Sequence, residues 1–351
     1  MKLLLPFAWL YGGIMAFRNW LFDHGQLSQT AFDLPVISVG NLAVGGTGKT
    51  PHTEYLLKML SEQGWHCAML SRGYGRKTKG FYQAKGNGPQ VVGDEPWQVQ
   101  QKFPEANVYV CEKRVEGIQQ ILKQPTVPEV ILLDDAYQHR YVKPGLSILL
   151  TDYSRPYFSD EVMPAGRLRE FRKGYQRADL IVVTKCPEQL SDEVQRTIRR
   201  QLAPLPHQTV FFTCFQYGKR YPFQEKTVSA ERPNDLRQSR ILLLCGIARP
   251  QQLLEYLRPL CKEVELAKFP DHHNFSPSEI NQLVERSTHF DLVVTTEKDA
   301  ARLSGYTLPQ EFRQRLWVQP IEVHFLNHEN NKFNKIISDY VTENTRNSKL
   351  D

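Results

Sequence analysis

The stretch "AVGGTGKT" sets three glycines, two threonines and a lysine in an order suited to phosphate chemistry. Gly45, Gly46 and Gly48 let the backbone turn so that successive N–H groups face inward on phosphate oxygens. Val44 and Thr47 complete the loop. Lys49 adds a point charge at β- and γ-phosphates, and the Thr50 hydroxyl is placed to ligate Mg²⁺. Ala43 occupies the position usually given to the first glycine of this spacing. An apolar run precedes the loop and a helical pattern follows it, so the helix N-terminus aims its dipole at the same anion. The context indicates a nucleoside triphosphate site rather than a structural glycine turn.

A second stretch, "EVILLDDAYQHR", is an apolar run ending in Asp134 and Asp135. At the carboxyl end of a strand this pair is placed to hold Mg²⁺ beside Thr50, directly or through water. A helix N-cap would account for one aspartate but not obviously for two. A guanine reader of the N/T-K-x-D type is incomplete in "VVTKCPEQL": Thr184 and Lys185 fit, but Pro187 stands in place of the aspartate. Val44 likewise replaces the lysine that precedes the glycine pair in membrane-cycling partitioning ATPases. Phosphoryl transfer to an acceptor needs a group that takes or orients a hydroxyl proton. Two clusters offer one: Asp94 and Glu95 in "VVGDEP", and Asp271, His272 and His273 in "FPDHHNF". On spacing alone, a DEP turn is equally a helix cap, and a surface DHH equally has no role.

These residues need a frame. Apolar runs "PVISVG", "HCAMLS", "ANVYVC", "EVILLDD", "LSILLTD" and "DLIVVTK" alternate with helical patterns at Thr53–Gln63, Pro96–Lys102 and Val115–Lys123. Near-continuous hydrophobicity fits strands covered on both faces, hence an α/β, P-loop NTPase-type doubly wound, mostly parallel sheet. After about residue 205 the pattern weakens to an exposed strand, "HQTVFFTCFQYGKRYPF", and a polar loop. A second, smaller α/β series follows, with "RILLLCGIARP", helices at Gln251–Leu260 and from Ser276, and "FDLVVTTEKDAARL". The run "LWVQPIEVHF" is expected to pair with the exposed strand and connect the halves; the tail "TENTRNSKLD" is expected to fray.

The 351 residues carry a net charge of +6, with 41% hydrophobic and 23% charged positions, which excludes a disordered chain. Arg and Lys cluster in "SRGYGRKTKG" and "GRLREFRKGYQR", which suits an anionic ligand or membrane surface, or a solvated face. Six cysteines without CxxC spacing read as buried thiols in a reducing compartment. "MKLLLPFAWLYGGIMAFRNWLFDHG" is interrupted by Pro6, Arg18 and Asn19, and its apolar part is shorter than the roughly 20 residues that span a bilayer. It fits a helix packed on its own domain or one lying in a membrane interface, with Trp9, Trp20 and Phe22 as anchors.

Taken in order, "SVGNLAVGGTGKTPH", "SRGYGR", "GDEP", "ILLDDAYQHR", "GRLRE", "FPDHHNF" and "VVTTEKDAARL" resemble the tetraacyldisaccharide 4′-kinases, the lipid A 4′-kinases of Gram-negative bacteria. The resemblance covers roughly residues 36 to 302. It implies ATP and Mg²⁺ as cofactors and transfer of the γ-phosphate to the 4′-hydroxyl of an acylated glucosamine disaccharide 1-phosphate. It also implies an Asp94–His272 dyad as the catalytic pair. Asp134 and Asp135 correspond to the family's paired aspartates. Gln138 and His139 follow as active-site supports, and Arg72, Arg114, Arg169 and Glu170 match charged positions near the nucleotide or acceptor phosphate. The basic clusters then seat an anionic glycolipid, and interfacial docking of the N-terminal helix gains weight.

On this reading residues 1–25 form a membrane-interface helix and 26–206 the P-loop core. Residues 207–238 form a linker strand and loop, 239–313 the smaller α/β domain, and 314–351 a return strand and tail. The expected location is peripheral, on the cytoplasmic face of the bacterial inner membrane, with no nucleic acid and no obligate protein partner. A membrane-associated P-loop ATPase that switches conformation without a lipid acceptor is the alternative.

Overall fold

A computed structural model of the chain describes residues 4–223, 236–271 and 273–347. Much of the polar loop after "RYPF", and His272, lie outside them. Two sheets organise the chain. The larger has nine strands: β1 (Val36–Asn41), β2 (Cys67–Ser71), β3 (Tyr82–Gln83), β4 (Asn107–Val110), β5 (Val130–Asp134), β6 (Leu146–Asp152), β7 (Leu180–Thr184), β8 (Thr209–Tyr217) and β14 (Ile321–Phe325). Their order is β14-β8-β7-β6-β1-β5-β2-β4-β3, parallel from β8 to β4 with antiparallel edges. The central strands are buried along their whole length because helices cover both faces, as their unbroken apolar sequence requires. Helices α1 (Leu5–Asp23), α2 (Lys49–Glu62), α3 (Pro89–Val92), α4 (Asp94–Lys102), α5 (Arg114–Ile121) and α6 (Asp192–Leu202) belong to this unit. β1 lies between β5 and β6, where the strand order reverses, so the carboxyl ends of β1 and β5 open on one crevice.

The smaller sheet runs β11-β10-β12-β13-β9, with β9 (Tyr221–Pro222) antiparallel to β13 (Leu316–Gln319). β10 (Arg240–Cys245), β11 (Glu263–Lys268) and β12 (Leu292–Thr296) are parallel. Around them lie α7 (Gln251–Leu257), α8 (Pro277–Ser287), α9 (Glu297–Leu303) and α10 (Gln310–Arg315). Ser276 caps α8 in a capping box with Glu279, which explains its start.

Three expectations need correction. The "exposed" strand "TVFFTCFQY" is a buried member of the large sheet: β8 runs parallel to β7, and Phe211 and Phe212 are fully enclosed. The run "LWVQPIEVHF" does pair with it, with Val323 opposite Phe215, but only through β14; its first half, β13, stays in the small sheet. The chain therefore crosses between sheets twice, at Gly218 and at Pro320, joined by a Gly218 N–H···O=C Pro320 bond of 3.0 Å. Of the tail expected to fray, residues 342–347 end α11 (Asn330–Asn347), whose Phe333, Ile337 and Val341 recur at four-residue spacing and pack into the main core, and residues 348–351 lie outside the described residues.

The two units meet along α4 and α9. Lys102 lies 2.7 Å from Glu54 of α2 and 2.8 Å from Glu297 of α9, one ammonium shared by two buried carboxylates. Burial, and then Glu54, push the Glu297 carboxyl up to about 7 against the pull of Lys102. A carboxyl raised in the folded state holds a proton that the unfolded chain releases near its ordinary value. Its contribution to stability is full below that value and is lost as pH rises through about 7. Between pH 5.5 and 8.5 the wild type should lose on the order of 2 kcal/mol through this site. Urea unfolding of Glu297→Gln should show a smaller loss over the same window.

Among the described residues no helix is long and apolar enough to cross a membrane. α1 turns two different faces outward and inward. Phe7, Trp9, Leu10, Ile14 and Phe17 are each between 60% and 70% exposed, whereas Ala8, Gly12 and Phe22 are buried. Gly12 lies against the Phe171 ring, where a Cβ would come within 2.5 Å, and Phe22 meets Tyr141 edge-on at 5.0 Å.

Candidate functional site

The loop between β1 and α2 is held from several sides. Asn41 Nδ2 donates to Thr47 Oγ1 at 2.8 Å, and Val44 N donates to the Arg167 carbonyl at 2.8 Å. Thr184 Oγ1 donates to the Thr47 carbonyl at 2.8 Å. Lys185 donates to the Gly46 carbonyl and, at 2.8 Å, to Asp152. The Thr-Lys pair that falls short of a guanine reader thus braces the phosphate loop. Gly48, at φ 87°, caps α2 and has the Phe215 ring where a Cβ would sit at 2.6 Å. A side chain there meets both backbone strain and a clash. His52, one turn on, donates from Nδ1 to the Gly48 carbonyl (2.7 Å), and its Nε2 lies 3.1 Å from the Thr213 hydroxyl. Burial lowers it to about 4, so it is neutral in its ordinary working range.

Lys49 reaches Asp135 Oδ1 at 3.7 Å. Asp134, the last residue of β5, is almost fully enclosed and receives Thr53 Oγ1 at 3.3 Å and Ser71 Oγ at 3.4 Å. Burial, then the Glu95 and Asp135 carboxylates, push Asp134 up to about 7. Asp135, at φ 46°, turns its carboxylate away from the strand onto Lys49 and Arg169. Burial works to raise it, but those two cations outweigh burial and hold it below the usual range. Among the described residues no three His, Cys, Asp or Glu side chains group as a cation site. A P-loop Mg²⁺ site draws instead on a hydroxyl, phosphate oxygens and a carboxylate. A buried aspartate under pressure from two neighbouring carboxylates fits that donor set, since a divalent cation relieves it.

A polar network spreads from Asp135 to α1. Arg169 donates to Asp135 at 3.0 Å and to Gln138 Oε1 at 3.1 Å. Gln138 donates to the Asn41 carbonyl at 2.8 Å and to Glu170 at 3.1 Å. Glu170 is buried and also receives Arg177 (2.8 Å) and Asn19 of α1 (2.6 Å). Arg18 of α1 donates to the Gln138 carbonyl at 3.3 Å. Arg114, expected near the nucleotide or acceptor phosphate, lies inside the fold beside the paired aspartates. It is buried, its guanidinium donating to the carbonyls of Cys111 and Asp134, and burial lowers it to about 10. His139 is lowered to about 4 by burial, then by Arg114 and Arg72; Arg72 itself is exposed.

Gly93 and the "SRGYG" loop approach backbone to backbone: at φ 92°, a Cβ on Gly93 would lie 2.7 Å from the Tyr74 carbonyl. That close approach starts α4 with Asp94 and Glu95 in its first turn, facing the smaller unit. Arg302 Nε of α9 donates to Asp94 Oδ2 at 2.8 Å, and Lys298 to Glu95 Oε1 at 2.9 Å. Burial opposes ionisation of Glu95, but Lys298 and then Lys49 outweigh it and hold it low. His272 lies outside the described residues. Of its neighbours, His273 bonds Glu279 at 3.0 Å and stacks on Phe269, while Asp271 is close enough to raise Lys298. Sequence reasoning did not single out Lys298 and Arg302 as site residues. Their only signal was the "TTEKDAARL" motif, because their partners stand some 200 positions earlier.

Residues 1–342 match the family model described as tetraacyldisaccharide-1-P 4′-kinase. A tetraacyldisaccharide 4′-kinase of Bacteroides thetaiotaomicron is 45% identical, covering 99% of this chain and 95% of its own. One from Flavobacterium johnsoniae is 46% identical, with 98% of each chain covered. A crystal structure of LpxK from Aquifex aeolicus in complex with ATP matches with a TM-score of 0.73 at 30% identity, covering 97% of this chain and 99% of that one. With a phosphate loop, a paired-aspartate strand end and a whole-length match in agreement, this chain belongs to the tetraacyldisaccharide-1-P 4′-kinase family.

Proposed function

We infer that this chain transfers the γ-phosphoryl of ATP to the 4′-hydroxyl of a tetraacylated glucosamine disaccharide 1-phosphate, giving lipid IVA in lipid A biosynthesis. The observation that supports the reading is a phosphate loop opening α2 beside the start of α4, where Glu95 feels Lys49 of that loop and Asp94 meets the smaller unit. Gly45–Thr50 seat the triphosphate through backbone N–H groups, and Lys49 faces the β- and γ-phosphates. Thr50 with Asp134 and Asp135 would hold Mg²⁺, which supplies charge neutralisation at the transferring group. Asp94, in partnership with His272, takes the proton of the 4′-hydroxyl as the new O–P bond forms. Arg169 orients Asp135, and Gln138 and Glu170 fix Arg169 and the loop that carries it. His139 stays uncharged beside them, and Arg114 steadies the backbone carbonyl of Asp134. The exposed Arg72 and the exposed Lys77 and Lys79 of the same loop would offer the acceptor's 1-phosphate a cationic seat.

The test is incubation with γ-labelled ATP and the acylated disaccharide 1-phosphate. Label should appear in a chloroform-soluble glycolipid; release of free phosphate alone would favour the switch ATPase.

The exposed apolar row of α1 supports peripheral attachment at the cytoplasmic face of the inner membrane. Trp9 and Trp20 are the interfacial anchors, whereas Phe22 is buried inward and does not serve as one. Replacing Phe7, Leu10, Ile14 and Phe17 with serine should release the protein from anionic vesicles in a flotation assay while its far-UV spectrum is retained. Unchanged flotation would count against the attachment.

A further inference from the structure

We propose that Arg302 is a positioning residue for phosphoryl transfer: reaching from the smaller unit, it sets the direction of the Asp94 carboxylate. This rests on the reading of Asp94 as the group that takes the acceptor's proton.

Arg302 is 3% exposed, and its guanidinium is anchored before it meets Asp94. Nη1 donates to Asp299 Oδ1 at 2.9 Å and to the Gly246 carbonyl at 3.0 Å. Asp299 is itself fully enclosed and held by the Gly246 N–H at 2.9 Å and the Thr296 hydroxyl at 2.8 Å. The buried carboxylate and the loop after β10 thus form a socket built wholly from the smaller unit. The planar guanidinium cannot rotate in it without breaking two charge-assisted bonds. From that socket Nε points across the crevice to Asp94 Oδ2, 208 positions away in the chain.

The receiving side is equally fixed. Asp94 begins α4 directly after Gly93, whose approach to the Tyr74 carbonyl leaves the backbone no slack. With the main chain set, side-chain rotation is the remaining freedom of the carboxylate, and the bond to Arg302 removes it. Interunit adhesion has other sources alongside: Lys298 with Glu95, and Trp97 Nε1 donating to Ser304 Oγ at 2.6 Å. A base held within a narrow range of angles reacts through near-attack geometry, and small misplacements lower turnover steeply.

The experiment is a double-mutant cycle on the full chain, with ATP and the acylated disaccharide as substrates. Arg302→Gln should lower kcat about 30-fold or more while KM for ATP stays within about threefold, and Arg302→Lys should fall between. In the Asp94→Asn background, Arg302→Gln should add less than a twofold further loss, because its effect passes through the missing carboxylate. Losses that multiply in the double variant, or a kcat for Arg302→Gln above half of wild type, would overturn the proposal. If Arg302→Gln does not fold, Arg302→Lys runs the same cycle with the same criterion. A near-normal kcat for Asp94→Asn alone would instead sink the assignment of Asp94, a result distinguishable from failure of the arginine's role.

Discussion

Asp94→Asn is expected to lower turnover by about 10²–10⁴-fold, the span over which a positioned general base contributes. Asparagine keeps the shape and can still accept from Arg302, so the contact between the two units should be kept. It cannot take the proton of the sugar hydroxyl. ATP affinity should stay within about threefold because Asp94 lies on α4 and its carboxylate is bonded to Arg302 of the smaller unit. The measurement is kcat with labelled ATP beside equilibrium nucleotide binding. A variant that binds and turns over normally would remove Asp94 from the chemistry.

Lys49→Ala should be the more damaging change, since it strikes binding and transfer together. Loss of one preorganised donor at a site of developing charge costs about 10²–10³ in turnover, and the γ-phosphate contact should be lost with it. The structure adds a second source of damage. Lys49 is 3.7 Å from Asp135 and acts on Glu95 and Asp134 as well. Removing it leaves three carboxylates to share Arg169, Arg114 and Lys298, so the site becomes more negative at the place where a triphosphate must enter. Loss of ATP affinity should therefore exceed what one missing hydrogen bond explains. Titration of nucleotide binding at low and high salt checks this, because screening should restore part of the affinity. A Lys49→Ala variant with unchanged affinity at both salt levels would contradict the account.

The parts of the site that sequence made legible are those whose members are contiguous. Gly45–Thr50 and Asp134–Asp135 read directly because each forms one turn at one strand end, and the apolar runs before them name the strands. What stayed hidden depends on contacts between distant segments. Nothing local to "TTEKDAARL" says that Lys298 and Arg302 meet "GDEP", or that Glu297 competes with Glu54 for one lysine. Nor does the sequence show that Arg114 spans two backbone carbonyls inside the fold. β8 was misjudged because its polar ends suggest exposure, whereas β14, from a segment about 100 residues later, covers that side of it. The C-terminal helix shows the opposite case. Its Phe333, Ile337 and Val341 carry a readable period that the polar residues between them obscured.

The seam between α1 and the aspartate network fixes a distance as well as an attachment. Asn19 is bonded to Glu170, Arg18 to the Gln138 carbonyl, and Arg140 to both Asn19 and Asp23. The same helix that shows Phe7, Leu10 and Phe17 outward is thereby tied, within a few bonds, to the residues around Asp135. An amphiphilic acceptor sunk to its tails would then meet the phosphoryl donor at one set elevation, with the sugar held level to the crevice and the chains left below it. On the proposed attachment through α1, selectivity for headgroup height follows from that geometry.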